Sequence, residues 1–452
     1  MVEVKVIGLE LLGTTGVAFP SLESLSFEDM ASLESWSTNS GVVGSVFPCL
    51  QKLKIEKCPK LLDVSVEALP SLRFLKIDRC HDNVLRSLVQ KASLITKLKL
   101  VKISGLTNEA WRGVIEHLGA VEELTIQGCD EIRYLWESEA VASKVLVKLR
   151  SLKILWCDSL VSLGEKEEDS FGNNNIITSI KTLEVWSCSS MERCIFPDSI
   201  ESLKIDHCSS ITHVSFTTKT GGQKLKSLEI TDGNKLGQSF YTTNMPVVEV
   251  VEIIRWPDLK SIINFSSSIH LTKLMIHDCG IIESFPDLQL SNIASLKRLE
   301  ITNCPGMDAS FPRGLWPPKL HTLVIGGLKK PVSEWGPQSF PTSLVELKLV
   351  GEQVANFSQL SDLLPSSLPF LHISEFEKLE SLSAGLEHLT SLQHLLIHTC
   401  PKLKQLPKML LPSLLRLVIS DCPKLKERST GRGSHYWPLI SHIPYIAISS
   451  GY

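Results

Sequence analysis

A single nine-residue pattern recurs along the 452-residue chain and constrains its fold more than any other feature. The pattern is L-x-x-L-x-[I/L/V/F]-x-x-C, in which x stands for any residue. Clear copies begin at Leu50, Leu72, Val121, Leu149, Ile180, Ile200, Leu271, Leu296, Leu392 and Leu414. Looser copies, with another residue in the cysteine position, begin at Leu22, Ile95, Leu225, Val248, Leu320, Leu344 and Leu368. The chain is therefore expected to consist of 17 copies of one structural unit.

The spacing of these copies is that of leucine-rich repeats. Their starts lie 20 to 31 residues apart and about 24.5 on average, against the 20–29 residues typical of that repeat class. Within each copy, apolar residues alternate with polar ones, as in a β-strand with one buried face. One unit cannot bury that face alone, so neighbouring units are expected to stack their strands into one parallel sheet over a continuous leucine core.

The predicted fold is an α/β repeat solenoid, a leucine-rich-repeat horseshoe of about 17 repeats. It has a concave parallel β-sheet and a convex side of loops and short helices. The solenoid is expected over residues 1–428, with a C-terminal tail at 429–452. Residues 108–118 are predicted to form a short amphipathic helix capped by Asn108. An acidic and Asn-rich insertion at 165–175 is expected to be a solvated loop.

Ten of the twelve cysteines occupy the ninth position of the pattern, where the strand ends and the chain turns. A small buried residue with a weak hydrogen-bond donor suits that position. Zinc binding is disfavoured because the chain has no Cys-x-x-Cys pair. Stacked pairs such as Cys58 and Cys80 would lie within disulfide distance, but their parallel side chains and a reducing compartment favour free thiols. We therefore predict reduced, structural cysteines.

Composition and motifs argue against several functional classes. The net charge is −3 and no long basic run occurs, which argues against nucleic-acid binding. No apolar run is long enough for a membrane span, and the N-terminus does not resemble a signal peptide, so a cytoplasmic location is expected. Phosphate-binding loops, nucleophile elbows and metalloprotease motifs are absent from the sequence. We expect a non-enzymatic binding protein with no catalytic residues, cofactor or metal site.

The same geometry predicts the protein-binding surface. Residues beside and between the core positions of each strand point away from the core, onto the concave face. Exposed aromatic residues and arginines on such a face are typical anchors of protein interfaces. A charged, solvated sheet face without a partner is the alternative for any single residue. The predicted protein-binding residues are Lys54, Lys76, Lys99, Lys153, Trp186, Lys204, Glu229, Glu252, Arg298, Glu300, Lys348, Phe370, His372, His394, His398 and Arg416.

Three of these residues are histidines in neighbouring repeats. His394 and His398 flank one strand core, and His372 lies mid-strand in the repeat before. Four residues along a strand span about 13 Å, which is too far for His394 and His398 to share one metal ion. A polar contact patch is the favoured interpretation, and a metal or pH-sensing site is the alternative.

Several short strings resemble a known family. CPKL occurs at residues 58–61, 400–403 and 422–425, and repeats begin with AFPSLE at 18–23 and VFPCL at 46–50. The closing string KLKER at 424–428 is followed by HYW at 435–437 and ISHIP at 440–444. These strings resemble the leucine-rich-repeat region of plant intracellular disease-resistance proteins of the coiled-coil, nucleotide-binding class. The resemblance covers essentially the whole chain.

The resemblance implies the recognition domain of a plant immune receptor. Such a domain binds a pathogen effector or a host guardee protein and regulates a nucleotide-binding switch in the defence response. The family's switch and N-terminal signalling domains have no counterpart in this sequence, and the N-terminus lacks the polar cap of a complete solenoid. We therefore expect a fragment or truncated product that keeps the recognition end.

Two other classes of repeat protein are alternatives to this interpretation. A substrate-recognition leucine-rich-repeat subunit of a ubiquitin ligase is the main alternative, and it would need an F-box helix region, which residues 1–20 do not show. A secreted or receptor-type repeat protein would need a signal peptide and a membrane span.

Overall fold

The computed structural model describes residues 4–8, 10, 19–38, 46–137, 139–164, 179–197, 199–216, 224–237, 239–241, 247–263, 269–283, 293–307, 316–335, 340–430 and 435–449. The chain forms two compact units, Met1–Leu236 and Gly237–Tyr452. The predicted leucine-rich-repeat solenoid is confirmed, because each unit stacks short parallel strands over a leucine core. The insertion predicted as a loop at 165–175 lies outside the described residues.

Unit 1 contains sixteen described strands and three helices. The strands are β1 (Val6–Ile7), β2 (Ser24–Glu28), β3 (Ser35–Ser37), β4 (Lys52–Glu56), β5 (Asp63–Ser65), β6 (Phe74–Asp78), β7 (Lys97–Val101), β8 (Glu123–Gln127), β9 (Tyr134–Trp136), β10 (Ser151–Leu155), β11 (Ser162–Gly164), β12 (Thr182–Trp186), β13 (Arg193–Phe196), β14 (Ser202–Asp206), β15 (His213–Phe216) and β16 (Ser227–Thr231). The helices are α1 (Asp82–Lys91), α2 (Asn108–Ile115) and α3 (Glu139–Val145).

Unit 2 contains eleven described strands, two α-helices and three 3-10 helices. The strands are β17 (Ser239–Tyr241), β18 (Val250–Ile254), β19 (Ser261–Ile263), β20 (Lys273–His277), β21 (Arg298–Cys304), β22 (Thr322–Leu328), β23 (Glu346–Val350), β24 (Phe370–Ser374), β25 (His394–His398), β26 (Arg416–Ser420) and β27 (Tyr445–Ser449). The α-helices are α4 (Pro423–Ser429) and α5 (Trp437–Ile440), and the 3-10 helices are Val332–Glu334, Phe357–Leu363 and Leu411–Ser413.

One main parallel sheet runs through each unit, with one strand from each of the 17 repeats and, at the end of unit 2, the additional strand β27. In unit 1 its strand order is β2, β4, β6, β7, β8, β10, β12, β14 and β16. In unit 2 the order is β18 followed by β20 to β27. Equivalent repeat positions pair in register, so Leu53, Leu75 and Leu98 stack with 0% exposure. The period of the sequence therefore sets both the core and the register.

The C-terminal segment 429–452, which the sequence analysis set apart as a tail, contributes to the unit 2 sheet. Strand β27 pairs in parallel with β26, with Arg416 opposite Tyr445. Tyr436 is 1% exposed, and its hydroxyl accepts a hydrogen bond from the Leu406 amide at 3.1 Å. The tail is thereby packed against the last repeats.

The eighth position of the pattern adopts a left-handed backbone in all 17 repeats. The φ angle lies between 48° and 64° at fourteen non-glycine residues, among them Lys102 and Trp156. Gly128, Gly327 and Gly351 fill the same position in the other three repeats. A side chain in this region costs about 1–2 kcal/mol, which glycine avoids because it lacks a Cβ. In most repeats the turn out of the sheet forms with a side chain at this position despite that cost.

In the ten repeats that carry it, the ninth-position cysteine closes the turn, as predicted. Cys80 is 1% exposed, and its thiol donates to the Asp78 carbonyl at 3.3 Å and the Ile55 carbonyl of the preceding repeat at 3.7 Å. All twelve cysteines are free thiols, and only Cys49 is exposed. Burial raises the pKa of Cys129 to about 11 and that of Cys157 to about 12, which keeps these thiols protonated.

Helix α2 begins where the sequence predicted it, but the prediction that Asn108 caps it is wrong. The cap is Thr107, whose hydroxyl accepts from the Ala110 amide at 3.3 Å. Asn108 instead contacts the next repeat. Its side chain donates to the Tyr134 carbonyl at 2.8 Å and accepts from the Arg133 amide at 2.9 Å. Asn108 therefore links adjacent repeats.

Helix α1 was not predicted from the sequence. His81 caps its N-terminus by accepting from the Asn83 amide at 3.4 Å. Val84, Leu85 and Leu88 recur at helical spacing and are fully buried. Across the described part of the chain, no helix is long and apolar enough to cross a membrane.

Candidate protein-binding surface

The solvent side of each main sheet, here called the sheet face, carries the third, fifth and seventh positions of the repeats. All sixteen predicted binding residues occupy these positions, in the strands of one unit or the other. The fifth positions pair in register and form a central row. In unit 1 this row is Ser26, Lys54, Lys76, Lys99, Thr125, Lys153, Glu184, Lys204 and Glu229. In unit 2 it is Glu252, Met275, Glu300, Val324, Lys348, His372, Leu396, Val418 and Ala447.

Much of the predicted charge in unit 1 is paired within the sheet face. The ammonium of Lys153 lies 2.8 Å from the Glu184 carboxylate on the next strand. Lys204 and Glu229 form an equivalent pair at 2.7 Å. The Glu229 carboxylate beside Lys204 raises the pKa of that lysine. These residues face solvent, but each pair is close to neutral as a unit.

The acidic residues of the unit 2 row are paired as well. Glu252 lies 2.6 Å from Lys273. Glu300 is only 6% exposed and contacts both His277, at 3.1 Å, and Arg298. Burial alone would raise the pKa of Glu300, but these two neighbours hold it below its ordinary value. Glu300 therefore stabilises the sheet and is not a group that a partner can readily reach, which differs from the expectation.

Positive charge is concentrated on three adjacent strands, β4, β6 and β7. On and beside the sheet face, these strands, the turns after them and Arg73 just before β6 present nine cations and two carboxylates, although the whole chain carries a net charge of −3. We call this set the basic patch. Its cations are Lys52, Lys54, Lys57, Arg73, Lys76, Arg79, Lys97, Lys99 and Lys102, and its anions are Glu56 and Asp78.

Within the basic patch, the lysines differ in their partners. Lys76 lies 2.6 Å from Glu56 and 3.6 Å from Asp78. The hydrogen bond from Lys76 holds the pKa of Glu56 below its usual value. Lys54 and Lys99, on either side of Lys76, make no ion pair with any residue that the structure describes. Lys76 is therefore tied to the sheet, whereas Lys54 and Lys99 are available to a partner.

Asp29 and Glu123 on the bordering strands pair with outer members of the patch. Asp29 lies 2.9 Å from Lys57, and Glu123 lies 2.5 Å from Lys97. The remaining cations still outnumber the carboxylates around them.

Two tryptophans form an exposed aromatic pair beyond the basic patch. Trp186, a predicted binding residue, is 41% exposed, and Trp156 is 44% exposed. Their ring centroids are 5.2 Å apart. Sequence reasoning missed Trp156 because it lies at the eighth position, after the strand. The turn at that position places the Trp156 indole beside Trp186 on the next strand. The sequence could have predicted this contact, because the two tryptophans occupy the eighth and seventh positions of successive repeats.

The three predicted histidines do not form one cluster. The rings of His372 and His398 are 4.7 Å apart, whereas His394 packs against Phe370 at 5.5 Å. Burial, the Lys348 ammonium and His398 lower the pKa of His372 to about 3. Burial and Lys348 also lower the pKa of His398. His372 is therefore uncharged at neutral pH and belongs to a partly buried polar layer.

The remaining predicted residue of unit 2 has an aromatic partner. The Arg416 guanidinium lies 4.7 Å from the centroid of the Tyr445 ring, a cation–π distance. Both side chains are exposed. Arg416 therefore depends on the C-terminal strand for its position.

One cluster near the end of unit 1 was not foreseen. The two ring nitrogens of His207 lie 2.6 Å from Asp206 and 3.2 Å from Asp232. The three groups are close enough to share a metal ion. The direct contacts between the ring and both carboxylates account for the cluster without one.

The sequence is similar to parts of known plant proteins. It is 27% identical to disease resistance protein RPS4B of Arabidopsis thaliana over 164 residues, which are 36% of this chain and 11% of that protein. A putative disease resistance protein of the same plant is 40% identical over 65 residues, which are 14% of this chain and 4% of that protein. The chain therefore spans a small part of the length of these relatives.

Solved structures of leucine-rich-repeat proteins align with most of the chain at low sequence identity. A leucine-rich-repeat protein of Leptospira interrogans aligns with a TM-score of 0.44 and 16% identity, over 88% of this chain and 90% of that protein. No protein-family profile matches the chain. By its sequence repeats and its stacked parallel strands, the chain is a leucine-rich-repeat protein, and its sequence is similar to segments of plant disease-resistance proteins.

Proposed function

We propose that this chain is the recognition region of a plant immune receptor. It binds a pathogen effector, or a host protein that an effector alters, and thereby regulates a nucleotide-binding switch in the cytoplasm. It does so by binding alone, without catalysis. The similarity to two disease-resistance proteins of Arabidopsis thaliana supports this role.

The observation that carries the proposal is the basic patch with its neighbouring tryptophan pair. Like charges directly opposite each other on adjacent strands destabilise a sheet. Lys54, Lys76 and Lys99 stand in register, and of these three only Lys76 has ion-pair partners among the described residues. Large exposed aromatic residues are among the strongest anchors of protein interfaces. A surface that combines both features is better explained by a bound partner than by solvation alone.

Reversing charge in the patch tests this function. The tagged chain is expressed in leaf tissue, with and without pathogen challenge, and co-purified proteins are quantified by mass spectrometry. Replacing Lys54 and Lys99 by glutamate is expected to lower recovery of a challenge-dependent partner about tenfold, because two favourable interface charges become repulsive. Lys76 is left unchanged, since its reversal would place three carboxylates together and destabilise the sheet.

The matched control reverses two exposed lysines outside the strands, Lys60 and Lys148. This variant changes the net charge equally and should leave recovery unchanged. Equal losses in both variants would contradict the proposal, because they would show a dependence on net charge and not on the sheet face. Recovery unaffected by Lys54→Glu with Lys99→Glu would also contradict it.

A further inference from the structure

We infer that the partner binds through an extended acidic segment that also carries an aromatic or large apolar anchor residue. The acidic residues lie on the basic patch and the anchor lies on the Trp156–Trp186 pair. This inference rests on the proposed function and specifies the chemistry of the partner at that same surface.

Three cations of the patch occupy a backbone position whose left-handed conformation does not favour a side chain. Lys57, Arg79 and Lys102 occupy the eighth position in three successive repeats, with φ angles of 55°, 51° and 48°. Gly128 fills the same position in the very next repeat, which shows that the turn forms without a side chain. Lys102 makes no ion pair with any residue in the described ranges. Its charge is thus not needed for the turn or for a neighbouring side chain.

Strand β8 separates the cations from the tryptophans, and its C-terminal half, between Lys102 and Trp156, provides a low, uncharged surface, whereas Glu123 at its start is paired with Lys97. Its sheet-face residues include Thr125 and Gln127, and its turn residue is Gly128. A Cβ at Gly128 would lie 3.0 Å from Cγ of Lys102, so the lysine stem already covers this glycine. A peptide backbone can pass over the Gly128 end of this strand without meeting a bulky or charged side chain.

The spacing of the strands defines the length of the bound segment. Lys102 and Trp156 lie two strands apart, or roughly 10 Å, and Lys54 and Trp186 lie five strands apart, or roughly 24 Å. An extended chain advances about 3.3 Å per residue. The acidic residues are therefore expected about three to seven residues from the anchor, within a segment of about eight residues.

Charge complementarity selects an acidic protein segment as the occupant. The patch attracts carboxylates, and an exposed indole pair offers an apolar surface for one large side chain. Single-stranded nucleic acid is the other polymer that combines negative charge with stacking groups. The experiment therefore includes an oligonucleotide as a competing ligand.

The probe is a fluorescent eight-residue peptide with three glutamates at one end and a phenylalanine at the other, made in both chain directions. Binding to the full chain is measured by fluorescence anisotropy. One direction is expected to bind, with an affinity that falls as salt rises. Replacing the glutamates by glutamines, or the phenylalanine by alanine, should each weaken binding at least fivefold.

Variants of the chain locate the bound peptide. Lys102→Gly should weaken binding at least threefold while preserving the fold, because glycine is the residue best suited to this backbone. Thr399→Gly is the matched control, since it makes the same backbone change at the eighth position in unit 2 (φ 51°) and should leave binding unchanged. In the Trp186→Ala variant, replacing the peptide phenylalanine by alanine should make no further difference.

Several outcomes would overturn the inference. These are no peptide binding in either direction, equal binding of the glutamine peptide, equal effects of Lys102→Gly and Thr399→Gly, or tighter binding of an eight-nucleotide oligothymidine. If any of these occurs while the Lys54→Glu and Lys99→Glu variant still loses its challenge-dependent partner, the inferred partner chemistry is wrong and the proposed function stands. If that variant also keeps its partner, the proposed function fails as well.

Discussion

At the scale of single residues, a buried thiol completes the turn out of the sheet in ten of the 17 repeats. Cys80 satisfies carbonyl oxygens of its own strand and of the preceding repeat. Replacing Cys80 by alanine should lower the free energy of unfolding by about 1–2 kcal/mol, because two buried acceptors lose a donor and a small cavity forms. Chemical denaturation measures the change. Cys49→Ala is the control, since Cys49 is exposed, and an equal effect of both substitutions would contradict the account.

The partly buried His372 makes the free energy of unfolding depend on pH, and the sign of this dependence follows from the pKa of His372. The pKa is about 3 in the folded chain and about 6.5 when unfolded. The unfolded chain therefore binds more protons between these values, and stability falls as the pH drops below about 6.5. Between pH 6.5 and pH 5 the loss is expected to be about 2 kcal/mol.

The variant His372→Leu isolates this contribution, since Leu396 already fills the same row on the next strand. Its unfolding free energy should change less between pH 6.5 and pH 5 than that of the wild type, by about the same 2 kcal/mol. The same pH slope in both proteins would mean that His372 is not buried in its neutral form.

At the scale of elements, the sequence predicts strands more reliably than helices or contacts. Core leucines such as Leu53 and Leu75 belong to a pattern that recurs in each repeat, so the strands and their register can be predicted from the sequence. The sequence of helix α1 belongs to a single repeat and does not recur in the others, so the repeat pattern does not predict it. The role of Asn108 could not be read locally, because its partners belong to the next repeat.

The link between repeats made by Asn108 can be separated from capping. Asn108→Ala removes two hydrogen bonds to the next repeat and should cost about 1–3 kcal/mol. Thr107→Ala removes only the cap and should cost about 1 kcal/mol. Hydrogen exchange provides a local readout. Amides of β9 (Tyr134–Trp136) should lose protection in the Asn108 variant and keep it in the Thr107 variant, and the reverse pattern would refute the assignment.

At the scale of the whole molecule, the repeat architecture and the sheet face follow from the sequence, although strand β27 was not counted among the predicted repeats. Which of the charged residues are paired does not follow from the sequence. The predicted residues Lys153 and Lys204 are neutralised by carboxylates on the next strand, 31 and 25 residues away in the sequence. Such pairs depend on rotamers and on register together. Lys54 and Lys99 have the same pattern position but no ion-pair partner among the residues that the structure describes, and only the structure distinguishes them from Lys153 and Lys204.

The central claim is that the sheet face is the surface on which a partner binds. A photo-reactive amino acid is introduced at Thr125, in the central row beside the basic patch. As a comparison, it is introduced at Val147, which is 54% exposed and lies outside the strands. Each chain is expressed in leaf tissue and irradiated with and without pathogen challenge. The account predicts a challenge-dependent adduct from Thr125 and none from Val147. Adducts of equal yield at both positions, or an adduct from Val147 alone, would contradict it.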